Sequence, residues 1–128
     1  MNNKMEQRDT PIIFLAMFWG GGGPYTIPEI IHAYDWINRD VPDREQMESA
    51  LNTLLAMGLI EKQDDRFRVN RSRGQEFDVF RKKKRKSKFK MVRMYFRQLP
   101  TVTDIPRIIS LSDNEYRAHI LEYRRAFD

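Results

Sequence analysis

The sequence contains no cysteine, which excludes disulfide bridges, thiolate metal sites and a cysteine nucleophile. Histidine is nearly as scarce, with two residues in the chain. His32 and His119 lie on different predicted helices, and neither has neighbouring residues at metal-ligand spacing. The acidic residues are scattered over surface positions instead of being paired beside an aromatic pocket, which argues against general acid–base chemistry. We therefore expect a protein that is not an enzyme, with no catalytic residues, no metal site and no cofactor.

Long apolar runs are also missing. The longest, residues 11–19, is far shorter than the roughly 20 residues needed to span a bilayer. It is preceded by Glu6 and Asp9 and not by the basic segment of a secretory signal. We expect a cytoplasmic protein without membrane insertion, or a nuclear one if the cell is eukaryotic.

Charge is distributed unevenly along the chain. Residues 1–70 contain seven Lys and Arg against eleven Asp and Glu, a net charge of −4. Residues 71–128 contain the other 16 Lys and Arg against 7 Asp and Glu, a net charge of +9 within a total of +5. Any attraction to polyanions is therefore predicted for the second half.

Capping and turn residues in the first half of the chain predict three helices and a hairpin. Residues 11–19 are apolar on every side and predict a buried helix with Asp9 or Thr10 as its N-cap. A T-x-x-E capping box opens a second helix over 26–38, and a D-x-x-Q box opens a third over 43–57 that Gly58 ends. Residues 59–69 predict a β-hairpin with a polar tip.

The second half is predicted to be helical. Apolar positions at helical spacing predict one long helix over residues 75–99, which Pro100 ends. Residues 101–111 form a connector with at most one turn, and a third capping box at 112–115 opens a last helix to residue 127. The predicted fold class is mainly α with a small β-hairpin, an α+β arrangement.

The order of the first elements resembles winged helix-turn-helix domains, such as those of small bacterial transcriptional regulators. The residues that carry this resemblance are the two capped helices, the stretch L-A-M-G-L-I-E at 55–61 and the wing at 62–69. It covers residues 10–70, about half of the chain, and it points to a superfamily and not to one function. Residues 71–128 would then be a separate region of a basic helix and a C-terminal helix, expected to mediate dimerisation.

The resemblance implies that the third helix enters the major groove of DNA while the wing approaches the backbone or the minor groove. With apolar positions turned inward, the outward polar residues able to reach bases or phosphates are Arg44, Ser49, Asn52 and Thr53. Glu45 and Glu48 share that face and would oppose a polyanion. The wing and the residues after it add Lys62, Arg66, Arg68, Arg71 and Arg73. The alternative is a third helix that binds protein, or nothing.

A second candidate DNA contact is a run of cations: Arg81, Lys82, Lys83, Lys84, Arg85, Lys86, Lys88 and Lys90. Successive residues of a helix are turned by about 100°, so residues 81–86 cover its whole circumference and no face of the run can be buried. It is therefore a projecting solvated turn, a frayed segment or the site of an anionic partner. Contact with DNA there would be independent of sequence and steeply dependent on salt. The same charge also fits an acidic protein, including a second copy of the chain, an anionic membrane surface or a nuclear import receptor.

The apolar stripes of the C-terminal helices favour a homodimer, unless those helices fold back on their own chain.

Two functional hypotheses remain. The leading hypothesis is a dimeric DNA-binding protein, a transcriptional regulator, whose third helix and wing approach DNA while the basic helix adds affinity. The alternative is a non-catalytic interaction or scaffold module whose basic helix docks an acidic partner.

Overall fold

The computed structural model describes the backbone of residues 4–127 and the side chains of residues 9–127. Over that part of the chain it contains six helices and one antiparallel hairpin. In chain order these are α1 Lys4–Trp19, α2 Ile27–Asn38, α3 Arg44–Ala56, β1 Ile60–Gln63, β2 Arg66–Val69, α4 Arg71–Lys82, α5 Lys88–Gln98 and α6 Asp113–Phe127. The predicted α+β class, mainly helical, is confirmed. None of the helices described is long and apolar enough to cross a membrane.

Helix α1 lies at the centre of the fold. Residues 12–17 are each at most 2% exposed, and α1 packs against α2, α3 and α5. The prediction that it begins at Pro11 is wrong, because the helix begins at Lys4 and Pro11 lies inside it. One missing backbone hydrogen bond is the cost of that proline. Asp9 is therefore not an N-cap, and its carboxylate instead accepts hydrogen bonds from the Tyr34 hydroxyl (3.2 Å) and from Gln46.

The two capping boxes fix the starts of α2 and α3 as predicted. Thr26 Oγ1 accepts a hydrogen bond from the Glu29 N–H while the Glu29 carboxylate accepts one from the Thr26 N–H (2.8 Å). Asp43 and Gln46 exchange the same pair of bonds, at 2.8 and 2.7 Å. Each box satisfies backbone donors that the first turn of a helix leaves free. The two helices therefore begin at the residues that the sequence indicates.

The predicted hairpin is also present. Ile60 pairs with Val69 and Gln63 with Arg66 in an antiparallel register. The segment before α2 adds an isolated bridge to it, because Tyr25 and Phe67 exchange backbone hydrogen bonds of 2.7 and 2.8 Å. The Phe67 ring is buried in the core, so the hairpin is held against the helices.

The glycine run at residues 20–23 closes α1 and passes close to β2. The N–H groups of residues 20–22 donate to the last carbonyls of α1, and the Gly22 carbonyl accepts from Val69 N–H (2.8 Å). Gly23 has a positive φ of 94°, and a Cβ there would lie 2.7 Å from the Phe67 carbonyl oxygen. Only glycine fits this position without a shift of the backbone.

The single long helix predicted over residues 75–99 is wrong. The chain forms two helices, α4 and α5, separated by a turn at residues 83–87. Repulsion among consecutive cations disfavours a continuous helix there, and the Ser87 hydroxyl restarts one by accepting from the Lys90 N–H (3.3 Å). The turn lets Phe77 of α4 and Tyr95 of α5 meet, with ring centroids 5.2 Å apart.

Both halves of the chain contribute to one core. Phe14 of α1 contacts Phe77 (5.7 Å) and Tyr95 (6.4 Å between ring centroids), and α6 packs against α2. Tyr116 and Tyr123 of α6 are at most 9% exposed. The apolar stripes of the second half therefore fold back on the first half, and the boundary expected near residue 70 does not divide the hydrophobic core.

Candidate nucleic-acid interface

The outer face of α3 is the first surface that the sequence assigns to DNA, and an extended segment of the same chain covers it. This segment, residues 107–112, is called the strap; it belongs to the connector between α5 and α6, which has no helical turn. Asn52 is 5% exposed beneath the strap. Its Nδ2 donates to the Ile109 carbonyl (2.9 Å), and its Oδ1 accepts from the Ile109 N–H (2.7 Å). The prediction that Asn52 faces outward is therefore wrong.

Glu48, one of the two carboxylates expected to repel DNA, holds the strap instead. Its Oε1 accepts a hydrogen bond from the Leu111 N–H (2.7 Å), and its Oε2 accepts one from Arg107 Nε (3.0 Å). Burial raises the pKa of Glu48, but the bonds from Leu111 and Arg107 outweigh burial, so its pKa is lowered from its usual value. The carboxylate is therefore ionised at neutral pH and shielded from an external partner.

Arg44 completes the attachment of the strap. Its Nη1 donates to the Leu111 carbonyl (3.2 Å), and its Nε donates to the Asp113 carboxylate (2.9 Å). Ser49 and Thr53 stay half-buried on the same helix. Of the four α3 residues predicted to contact DNA, Arg44 and Asn52 are thus already engaged by the chain itself, and the other two are half-buried.

The wing keeps its cations exposed but pairs them. Arg68 Nε lies 2.9 Å from a Glu61 carboxylate oxygen, and an Arg66 guanidinium nitrogen lies 3.7 Å from Glu29. Lys62 donates to the backbone carbonyl of Asp64. Residues 61–68 contain three cations and three carboxylates, so the hairpin has no net charge.

The residues after the wing continue this pairing only in part. Arg73 lies 3.0 Å from Glu76, whereas Arg71 is exposed and no carboxylate within reach of a salt bridge is found for it among the side chains described. At the end of α4, Asp78 binds both Arg81 (2.7 Å) and Lys82 (3.1 Å). One carboxylate therefore pairs with the first two cations of the basic run, and the three charges together leave a net charge of +1.

The rest of the basic run is unpaired. We call residues 81–90, the end of α4 with the turn and the start of α5, the basic corner. Within residues 9–127, none of the last six cations of this corner has a carboxylate oxygen within 4.0 Å; they are Lys83, Lys84, Arg85, Lys86, Lys88 and Lys90. Residues 82–87 are exposed throughout. Of the three alternatives read from the sequence, the projecting solvated turn describes this geometry.

Sequence reasoning missed an aromatic residue at this corner. Trp19, the last residue of α1, is 45% exposed, whereas residues 12–17 of the same helix are buried. The Arg81 guanidinium carbon lies 5.1 Å from the centroid of its ring, and Lys88 Nζ lies 5.5 Å from it. The signal in the sequence was weak, because a tryptophan at the end of an apolar helix is indistinguishable from a core residue until its neighbours are known.

Other features of the surface offer less chemistry. A cleft of about 890 Å³ lies between the glycine run and the start of α4, but the Arg68–Glu61 pair closes one side of it. His32 stacks on Phe127 with ring centroids 3.8 Å apart. Among the residues described, no group of three or more His, Cys, Asp or Glu side chains is placed to hold a metal ion.

Comparisons of the chain with protein-family models, with curated proteins and with solved structures find no match.

Proposed function

We propose that this chain is a winged-helix protein that binds DNA as a transcriptional regulator, with the basic corner as its main contact. The observation that carries the proposal is the imbalance of charge there: six adjacent cations have no carboxylate partner among the side chains described. Cations that are not neutralised internally are the groups that release counterions when they meet a phosphate backbone.

The arrangement of the first five elements supports the winged-helix part of the proposal. A helix, a short extended segment, two capped helices and a hairpin follow one another, and Tyr25 bridges the extended segment to the strand residue Phe67. The route to DNA differs from the one that the resemblance implies. Because the strap covers the outer face of α3, the proposed contact follows the phosphate backbone and does not read bases through Asn52.

Fluorescence anisotropy with a labelled duplex over a series of salt concentrations tests the proposal. Each phosphate contact contributes about 0.9 to the slope of log K against log salt. Replacing Lys83, Lys84 and Lys86 by Gln should reduce that slope by up to about 2.7 and weaken binding at every salt concentration.

A matched control variant has the same net charge as the triple variant of the basic corner. Arg117, Arg124 and Arg125 of α6 are exposed, and no carboxylate is found within 4.0 Å of them among the side chains described. Replacing these three by Gln removes equal charge at a distance from the corner and should leave most of the slope intact. Equal losses in both variants would show that total charge, and not the corner, attracts the DNA.

The covered face of α3 favours a second candidate function, an interaction module whose basic corner docks an acidic protein. Such a protein does not need an open third helix, since the cations of the corner alone provide the attraction. Poly-glutamate would then displace a duplex from the corner at comparable charge concentrations. A chain selective for DNA would retain the duplex under the same conditions.

The homodimer also stays a prediction. The argument for a dimer is weaker than the sequence suggests, because Tyr95, Tyr116 and Tyr123 are buried within their own chain. Sedimentation velocity over a range of protein concentrations would report a dimer directly, and a single monomeric species throughout would remove it from the proposal.

A further inference from the structure

We propose that Trp19 forms a stacking platform for an unpaired nucleobase, which makes single-stranded nucleic acid the ligand class of the basic corner. This inference rests on the nucleic-acid binding proposed for the basic corner and assigns a different form of ligand to it, a single strand. It starts from the position of the indole: 45% exposed, at the junction of α1 with the ends of α4 and α5. An exposed indole beside cations offers an aromatic face and positive charge together, which suits a partner with an aromatic face and a negative charge.

The two cations beside the ring have different roles. Arg81 is fixed, because its guanidinium lies 2.7 Å from Asp78 and close to both Phe18 (5.7 Å) and Trp19 (5.1 Å). Lys88 has no carboxylate partner among the side chains described, and its Nζ lies over the rings of Trp19 at 5.5 Å and Phe89 at 5.8 Å. Its ammonium stands on a flexible four-carbon stem and can move to a phosphate without leaving a carboxylate behind. A nucleotide that places its base on Trp19 therefore finds a cation for its phosphate next to it.

The backbone of a longer strand has a path beyond this nucleotide. The exposed cations of the turn lie in sequence between Arg81 and Lys88, which are both beside Trp19, and Lys90 is a further exposed cation in α5. Sequence-tolerant single-strand binding sites combine these two features, a cationic track and aromatic side chains on which bases stack. In a duplex the bases are stacked on each other inside the helix, so Trp19 adds nothing to a contact that is made through phosphates alone.

A second exposed tryptophan provides an internal control. Trp36 of α2 is 77% exposed, and its neighbours in sequence include Asp35 and Asp40. No cation lies over its ring among the side chains described. Exposure alone would make Trp36 the better platform, whereas the combination of exposure and positive charge selects Trp19.

The test uses the full chain with Trp36→Phe, which leaves Trp19 as the single tryptophan and reporter. Oligo(dT) and oligo(U) of about 16 nucleotides and a duplex of equal length are titrated while indole fluorescence is followed. We expect both single strands to quench Trp19 and to bind more tightly than the duplex. Oligo(dU), which differs from oligo(U) only in the 2′-hydroxyl, then distinguishes DNA from RNA as the preferred form.

Substitution of the platform completes the test. Trp19→Ala should weaken binding of single strands about 5- to 150-fold, the range for loss of one stacked base, and should weaken duplex binding much less. Trp19→Phe keeps an aromatic face and should restore part of the affinity, which separates stacking from damage to the fold; circular dichroism of each variant checks that damage directly.

Three results would overturn the inference, and they differ in what they leave standing. Duplex binding with no preference for single strands and no effect of Trp19→Ala removes the platform but retains the proposed function. Equal displacement of oligo(dT) by poly-glutamate, independent of Trp19, assigns the corner to an acidic protein. Absence of binding to any nucleic acid removes both the platform and the proposed function.

Discussion

The outer face of α3 and the basic corner both carry polar residues that the sequence assigns to DNA. The two surfaces differ in whether those residues are bonded within the chain. On α3, the carboxamide of Asn52 and the carboxylate of Glu48 are bound to the strap. At the corner, the cations from Lys83 onward have no carboxylate partner among the side chains described. Whether a polar residue is available to a partner therefore depends on whether its polar atoms are already bonded within the chain. Residue type alone does not determine this.

The difference also explains why carboxylates occur on α3. As part of a DNA-reading surface, Glu48 would oppose the phosphate backbone. As an acceptor for the Leu111 N–H and for Arg107 it satisfies groups that the strap brings to the helix. Ile109 and Leu111 are each 7% exposed beside these bonds, so polar and apolar contacts attach the strap together. The predictions below test the two surfaces, beginning with the largest effect.

Asn52→Ala should cause the largest loss of stability. The substitution leaves both the N–H and the carbonyl of Ile109 without their partner, and each buried unpaired group costs about 1–3 kcal/mol. We expect the free energy of unfolding to fall by about 2–4 kcal/mol, measured by urea denaturation. Ser49→Ala on the same helix is the control, since its side chain has no hydrogen bond among the residues described, and it should change stability by about 0.5 kcal/mol or less. A comparable loss in both variants would mean that the strap does not depend on Asn52.

Two neighbouring isoleucines of the strap provide the next test. Ile109 is 7% exposed and packs in the core cluster, whereas Ile108 is 58% exposed. Ile109→Ala should reduce the free energy of unfolding by about 2 kcal/mol, and Ile108→Ala by about 0.5 kcal/mol or less. The two variants have the same composition, so the contrast measures the docking of the strap alone. Urea denaturation with equal losses at both positions would show a strap that is not docked on α3.

Local signals in the sequence were sufficient for much of this fold. The starts of α2, α3 and α6 follow from capping boxes, in which residues three positions apart satisfy each other's backbone. The hairpin follows from strand periodicity around a polar tip. These features depend on neighbours in the chain, so a single sequence contains everything needed to predict them.

The remaining features depend on contacts between distant residues. Asn52 and Ile109 are 57 residues apart, and nothing local marks Asn52 as the partner of a strap. The turn at residues 83–87 lies between two apolar stripes that fit one continuous helix, and only their common packing on α1 shows that the chain reverses. The basic corner itself was predicted from its charges, but its lack of carboxylate partners is a property of the packed molecule.

Acid should weaken the strap through Glu48. Its pKa is lowered by folding, because the bonds from Leu111 and Arg107 outweigh the effect of burial. Such a group stabilises the fold above its usual pKa of 4.5 and loses that contribution as the pH falls through the lower pKa of the folded chain.

The variant Glu48→Gln isolates this contribution. Urea denaturation of both proteins from neutral to acidic pH should show a difference in unfolding free energy that is largest above pH 4.5 and shrinks as the pH falls below it. The other carboxylates titrate alike in the two proteins and cancel. A difference that stays constant over the whole pH range would show that the charge of Glu48 has no part in holding the strap.

The smallest effect is expected where cations are exposed but paired. Arg66 and Arg68 of the wing must leave Glu29 and Glu61 before they can bind phosphates, so replacing them by Ala removes less affinity per cation than a substitution at the unpaired corner. Exposed pairs of this kind contribute about 0–1 kcal/mol, and we expect a change of similar size in DNA affinity, smaller than that of the triple substitution at the corner. Anisotropy titrations of both variants against one duplex compare them directly. If the wing variant loses more affinity than the corner variant, the wing is the principal contact, as the resemblance to winged helix-turn-helix domains implies. Pairing in the free protein would then not predict which cations bind DNA.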